Sequence, residues 1–572
     1  MLLGLERLAA SVWPQGMVGR RGLPLVRLVA AVGVGAAVLV LAAANEHDPY
    51  DIKAGEIARI VAGLVPLTLA VVTACSVLRP WRGFVAVMLL TPVFDSAQIH
   101  LEIGALQVIV QTLCVVALGL GLALRDRPAP VAAGPAPVAA HASPAEGDAV
   151  ASVERKFGRR SWTRPDLVAA ASLAALLALA AGSTALSPNV TQSATVLLHG
   201  ILEPVAFGLV LVALRPNRRD LALLFVVLGV SVAIGGILNM LQTIPDLKSL
   251  AVIQANRLLV SRLTYFNVGL FGAMLAMALP MLAAAILAHR TLGHRARTLV
   301  VLCLLMLAAL ASLFLTFSKS AYLASSAGVL ILLFLIVRSR KRRVSLVLTA
   351  TLISAVVIPW PAAILQVAPP LEQAYRNAVV RLVGQSRYDS WNPATLSGRG
   401  SLLERWYATR AAAQMAIDHP LLGIGLDQFK AQYVGRYKPA EAHLELDSAH
   451  TFWPEIGAEL GLPALFLVVL IFAAALLALW RVYRSPPDQL GRLLAATFLA
   501  SMGGWLVVAT TFDIDLYRDW RNMSSDVVMA AVLVACAFAL YRTTRAAGAA
   551  DAAAAAAGRA GGGAEAAGIP AV

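Results

Sequence analysis

Runs of about twenty apolar residues recur through most of this chain, each long enough to cross ~30 Å of hydrocarbon as a helix. A chain built this way has one practical solvent, a lipid bilayer, because backbone amides can be satisfied there only within helices or closed barrels. The composition agrees. With 572 residues, 59% hydrophobic and 14% charged, and a mean hydropathy of +0.75, there is too little polar surface to coat a soluble globule. The net charge of +15 is not a nucleic-acid footprint, because Lys and Arg fall in short clusters between apolar runs. Cys75, Cys114, Cys303 and Cys536 sit inside apolar runs without CxxC spacing and suggest neither a disulfide framework nor a zinc site.

The spacing predicts an all-α polytopic membrane protein of about fourteen transmembrane helices. They fall at 23–44, 57–78, 83–95, 104–124, 166–187, 193–214, 220–243, 265–288, 297–317, 320–337, 344–362, 451–480, 490–512 and 525–541. The run 23–44 is longer than the apolar region of a signal peptide and reads as a retained anchor. The run 83–95 is short and carries Pro92, which fits a re-entrant or tilted segment.

Arg20, Arg21 and Arg27 place the N-terminus in the cytoplasm, and strict alternation then assigns every loop a side. The basic clusters RPWR (79–82), ERKFGRR (154–160), RPNRR (215–219), HRTLGHRAR (289–297) and RSRKRR (338–343) all fall inside. The poorly basic loops 45–56, 95–102 and 187–193 fall outside. Both termini are therefore expected in the cytoplasm. The chain divides into leading helices (1–127), a flexible Ala/Pro-rich linker (128–165), a main block (166–545) and an Ala/Gly tail (546–572) expected without structure. The linker either joins a peripheral module to the main block or is an insertion.

The longest hydrophilic segment, about 363–450, faces outward on this topology and is expected to carry short helices. Within it LLERWYATRAAAQMAI (402–417) predicts an amphipathic helix across the bundle end, its apolar face formed by Leu402, Leu403, Trp406, Ala413 and Ile417. His450 closes the loop, with Asp447 before it and Glu455 and Glu459 after it. A neutral imidazole there can take a proton from a hydroxyl while a carboxylate orients its other nitrogen; the bland reading is an interfacial histidine anchoring a helix end. Arg376, Arg381, Arg387, Arg399, Arg405 and Arg410 load an outward loop with cations. Guanidinium forks suit a diphosphate, whereas a solvated basic face meeting anionic headgroups is the alternative. Arg257, Arg262, Ser318 and Lys319 fall on the same side. Glu203, four residues after His199, is an intramembrane carboxylate, either functional or bonded to backbone freed by Pro204.

Several stretches in this order resemble the O-antigen ligase and polymerase superfamily: TYFNVGLFGAML, LTFSKSAYL, SGR with Trp406, DHPLLGIGLDQF and AHTFWPEIGAELGLPAL. The resemblance covers roughly 220–480, and its sharpest part places His450, Glu459 and Gly461 where the family has a His-Asn pair and a later Glu-x-Gly. It implies a metal-independent, cofactor-free glycosyltransferase acting on a polyprenyl-diphosphate-linked glycan at the outer face of a bacterial cytoplasmic membrane. It implies that Arg262 and Arg399 stabilise the leaving diphosphate and that His450 activates the acceptor hydroxyl. Arg257, Ser318, Lys319, Arg405 and Glu459 would bind substrate. Thr451 stands where the family has Asn, Lys319 where it has Arg and Pro454 where it has Leu. The acceptor is a lipid A core, a growing glycan or a protein serine. The rival class is a flippase or transporter of lipid-linked sugars, which needs charged groups along a central path.

Overall fold

In the computed structural model, residues 68, 70–96, 100–103, 106–124, 164–247, 268–289, 296–316, 319–337, 396–511 and 525–565 are described. The elements, in chain order, are α1 (Pro80–Ser96), β1 (His100–Ile103), β2 (Leu106–Ile109), α2 (Val110–Ala123), α3 (Arg164–Ala185) and α4 (Val190–Val196). A π-helical turn, Leu197–Leu202, leads into α5 (Glu203–Leu214), followed by α6 (Arg218–Leu247), α7 (Val268–Leu287), α8 (Ala296–Thr316) and α9 (Lys319–Ile336). Then come α10 (Leu396–Asp418), α11 (Phe429–Gln432), a second π-helical turn (Tyr433–Tyr437), α12 (Phe452–Leu460), α13 (Leu462–Arg484), α14 (Gln489–Thr510) and α15 (Ser525–Glu565).

Among the described residues, seven helices are long and apolar enough to cross a membrane: Asp166–Ala185, Val190–Leu214, Arg218–Ile237, Ala296–Leu313, Leu462–Arg484, Gln489–Thr510 and Val527–Ala549. Pro80–Leu90, Leu113–Ala123, Phe271–Leu287 and Ser320–Ile336 are apolar but shorter. The runs expected at 23–44 and 344–362 lie outside the described residues, as does the linker up to 163.

The helical expectation holds with three differences. The run expected at 104–124 is helical only from Val110; before it, β1 and β2 pair antiparallel with His100 opposite Ile109. Its cause is local, for IHLEI and LQVI alternate apolar and polar residues at the strand period. The single span expected at 451–480 is α12 and α13, broken at Gly461 with φ 87. Finally, the Ala-rich tail is helical as far as Glu565, since alanine has the strongest intrinsic helix propensity.

The centre of the bundle is α7, whose residues from Phe271 to Ala285 are nearly all buried. Pro280 has no N–H, which frees the carbonyl of Ala276 one turn earlier. The backbones of α9 and α14 close over that carbonyl through Gly328 and Gly504; a Cβ on Gly504 would stand 2.7 Å from it. Ser501 Oγ donates to the carbonyl of Met277 at 2.8 Å, tying α14 to the same stretch.

The far end, opposite His450, is closed by polar caps. α5 stops at Arg215 in a left-handed conformation, and Asn217 Oδ1 accepts from the amides of Arg219 and Asp220 to start α6. Arg218 pairs with Asp488, the N-cap of α14, at 2.6 Å. Asp166 at the start of α3 meets Arg542 of α15 at 3.1 Å.

Candidate active site

α10, the loop 419–451 and α12 form a cap across one end of the bundle. The cap has its own small core, in which Ala408, Ala411, Ala412 and Met415 of α10 pack with Ile424, Phe429, Tyr433, Ala449 and Ala458. The face of α10 turned inward is therefore its alanine face. The bulky face expected to pack is the outer one, since Trp406, Ala413 and Ile417 are exposed. Small side chains let α10 approach α12 closely, and Glu404 explains the register. Its buried carboxylate accepts from the amides of His443 and Leu444 at 2.8 and 3.1 Å, pinning the returning chain to α10.

His450 sits at the turn into α12, 8% exposed and in a left-handed conformation with φ 55. Such backbone costs a non-glycine residue about 1–3 kcal/mol, and strain of this kind collects at functional sites. Its neighbours hold it there. The amide of His450 donates to Ser448 Oγ at 3.2 Å, while Thr409 Oγ1 of α10 donates to the carbonyl of Ala449 at 3.2 Å and lies 3.2 Å from Thr451 Oγ1. Thr451 thus joins a threonine pair that locks α10 to the histidine turn. Asp447, one of the three carboxylates near His450 in sequence, reaches Lys430 at 2.6 Å on the surface. An exposed pair of this kind adds little stability.

Glu459 was expected to bind substrate, but it is 1% exposed and turned into the protein. Its Oε1 accepts from the amide of Phe429 at 3.2 Å, and its Oε2 has no hydrogen-bond partner among the described residues. Burial pushes the carboxyl upward, the charge of Asp427 pushes it further, and the amides of residues 427–429 pull it back. The backbone of the same residue is equally engaged, its carbonyl accepting from Ser183 Oγ at 2.8 Å and from the Gly425 amide at 3.2 Å.

Two glycines make this approach possible. Gly423 has φ 67, and a Cβ there would stand 2.3 Å from the carbonyl carbon of Glu459. Gly461 has φ 87, and a Cβ there would stand 2.5 Å from the Leu421 carbonyl oxygen. From α4, Ser193 Oγ donates to the Leu426 carbonyl at 2.6 Å and Gln192 Nε2 donates to Asp427. The stretch DHPLLGIGLDQF is thereby clamped between α3, α4 and α12. Thr409, Ser183, Gln192 and Ser193 carry no chemical signature in sequence, and only their partners reveal them.

Beneath α12 lies an apolar cavity of about 430 Å³, flanked by α3 and α5 and floored by α13 and α15. Phe452, Ile456 and Leu460, at helical spacing on the underside of α12, form one end, and Asp166 and Arg542 lie at the other. Trp505 stacks on Phe472 with centroids 5.0 Å apart and meets Phe452 edge-on at 5.1 Å, an aromatic wall just below the histidine turn. Beside the cavity, His199 Nδ1 on the π-helical turn and Glu203 Oε1 at the start of α5 are 3.1 Å apart, and both side chains are buried.

The remaining expected residues are placed only in part. Arg399 and Arg405 lie on α10 and Lys319 opens α9. Arg405 is half-buried and Arg410 exposed. Arg257, Arg262, Ser318, Arg376, Arg381 and Arg387 lie outside the described residues.

No curated protein matches the chain. A family model does, from within α8 through the cap and into α13, so that its last part spans the clamped loop, the His450 turn and α12. Residues 304–469 match the family described as O-antigen ligase.

Proposed function

We propose that this protein transfers or polymerises a polyprenyl-diphosphate-linked oligosaccharide at the outer face of the bacterial cytoplasmic membrane, with both termini in the cytoplasm. The observation that carries this reading is the position of His450. It lies inside the O-antigen ligase match, in a strained turn at the end of the bundle, above an apolar cavity that opens among membrane helices. A lipid tail suits that cavity, and its diphosphate then lies at the level of the histidine turn.

In this reading Arg262 and Arg399 pair the diphosphate oxygens as they take up charge. His450 accepts the proton of the acceptor hydroxyl as that oxygen bonds to the anomeric carbon and the bond to the diphosphate breaks. Arg257, Ser318, Lys319 and Arg405 border the donor, and neither metal nor cofactor takes part. The acceptor is a lipid A core or the end of a growing glycan, with a protein serine as the third possibility.

Reconstitution with a polyprenyl-diphosphate glycan and each acceptor in turn tests the assignment. His450→Asn, a residue that tolerates left-handed backbone, keeps the fold and lowers transfer by about 10²–10⁴-fold; Arg262→Ala lowers it as well. Unchanged transfer in both variants refutes the site. A second reading, movement of lipid-linked glycan across the bilayer, draws on the length of the cavity, which reaches Asp166 and Arg542 at the far end. Transbilayer movement without transfer in the same vesicles supports that reading instead.

A further inference from the structure

The chain meets the membrane-crossing helices just past the C-terminal end of α10 and again through α12. Just past α10, the Pro420 carbonyl accepts from the amide of Leu462, the first residue of the span Leu462–Arg484, at 2.8 Å. Leu422 packs 3.6 Å from where a Cβ on Gly182 would stand, in the last turn of the span Asp166–Ala185. Earlier along α10, Thr409 meets Thr451 at 3.2 Å. The next residue, Phe452, packs on Trp505 in the last two turns of the span Gln489–Thr510. Three spans therefore meet the cap at or near their ends on the His450 side, and the chain leaving α10 is fastened to two of them.

The inner face of α10 is filled by alanines, which leaves its bulky face outward. That face carries Trp406 at 53% exposure and Ile417 at 65%, and the turn after it adds Leu421 at 71%. Arg410 lies among them. Tryptophan, arginine and large aliphatic residues on one stripe are the composition of a helix lying in a membrane interface. The stripe is also continuous with lipid-facing surface: Leu462 and Phe466, exposed on a span, begin next to Leu421.

We infer that the outer face of α10, with Leu421, lies in the leaflet on the His450 side as an interfacial anchor. Ile417 and Leu421 reach the acyl chains and Trp406 stands at the headgroups. The anchor holds the His450 turn at headgroup depth, so a phosphate borne by a lipid meets it without leaving the leaflet. This inference rests on the spans and the packing of α10, not on glycosyl transfer.

The test uses the full chain with Cys75 and Cys303, the exposed cysteines, replaced by serine, while the buried Cys114 and Cys536 stay. Ile417→Cys, Leu421→Cys and, as a water-facing reference, Glu445→Cys each receive an environment-sensitive fluorophore. The proteins are reconstituted in phosphatidylethanolamine–phosphatidylglycerol vesicles containing lipid with a quencher just below the headgroup. Labels at 417 and 421 should be quenched several-fold more by that lipid than the label at 445, and several-fold less by aqueous iodide. Iodide access at 417 and 421 equal to that at 445 overturns the anchor, as does shielding from both quenchers, which would put a protein surface there. Leu421→Asp provides an independent check, and should raise iodide access at a label on residue 417. Glycan transfer by the labelled proteins is scored separately, so its loss does not bear on depth.

Discussion

Glu459→Ala removes the acceptor that holds the Phe429 amide at 3.2 Å while leaving the backbone carbonyl of residue 459 in place for Ser183 and Gly425. Phe429 is fully buried, so its N–H is left without a partner and without water. An orphaned buried donor costs about 1–3 kcal/mol, which shifts a local opening equilibrium by about 5- to 150-fold. Native-state hydrogen exchange on the reconstituted protein should show that acceleration at Phe429, with a smaller change at Gly425, whose own acceptor survives. Phe429 and Ala449 share the cap core, so loosening one loosens the residue beside His450, and transfer should fall with KM changing less than kcat. Glu459→Gln keeps an acceptor and should restore protection at Phe429. Unchanged protection in the alanine variant, or a glutamine variant as labile as the alanine one, refutes the clamp.

The same carboxyl sets a pH dependence. Its folded pKa is raised by burial and by Asp427, so its contribution to stability is complete below the ordinary carboxylate pKa and is lost as pH rises through the raised folded value; thermal unfolding across that window should slope downward in the wild type and flatten in Glu459→Gln. Gly461→Ala forces left-handed backbone on a residue with a Cβ 2.5 Å from the Leu421 carbonyl oxygen; strain and overpacking together should cost about 2–6 kcal/mol, read as a lowered unfolding midpoint, and a loss below 1 kcal/mol would show that the break is not needed. Ala174→Trp places a large ring at the lip of the cavity from an exposed position of α3; transfer from a full-length polyprenyl donor should fall while transfer from a short-chain analogue is retained, and equal loss of both would remove the cavity from donor binding.

The bundle was legible because apolar length is read directly from sequence, and α3, α5, α6, α8, α13, α14 and α15 fall on expected runs. The break at Gly461 was hidden because ELGLPAL is continuous in hydropathy; only the close approach of Leu421 requires the glycine conformation there. The inverted face of α10 was hidden for a related reason. Hydrophobic size points Trp406 and Ile417 inward, but a helix lying between protein and lipid has two apolar neighbours, and closeness of packing assigns the alanines to the protein. The position of His450 at the turn into a helix was legible from its place at a loop end, whereas the partners of Asp447 and Glu459 were not. A carboxylate's partner depends on which amides and ammonium groups the fold brings near, here Lys430 for one and Phe429 for the other.

The π-helical turn at Leu197–Leu202 amounts to one extra residue carried inside a membrane helix. Each residue of an α-helix advances the direction of its side chains by about 100°. Deleting a residue there would regularise the hydrogen bonding and swing α5 by that angle against α4. Gly208 would leave its contact near the Ala531 carbonyl, 3.4 Å from a Cβ built on it, and Pro204 would turn away from the cavity. Substitutions in this turn disturb one side chain, but a change of length re-indexes a whole wall of the cavity. For this segment, the number of residues is a stricter constraint than their identity.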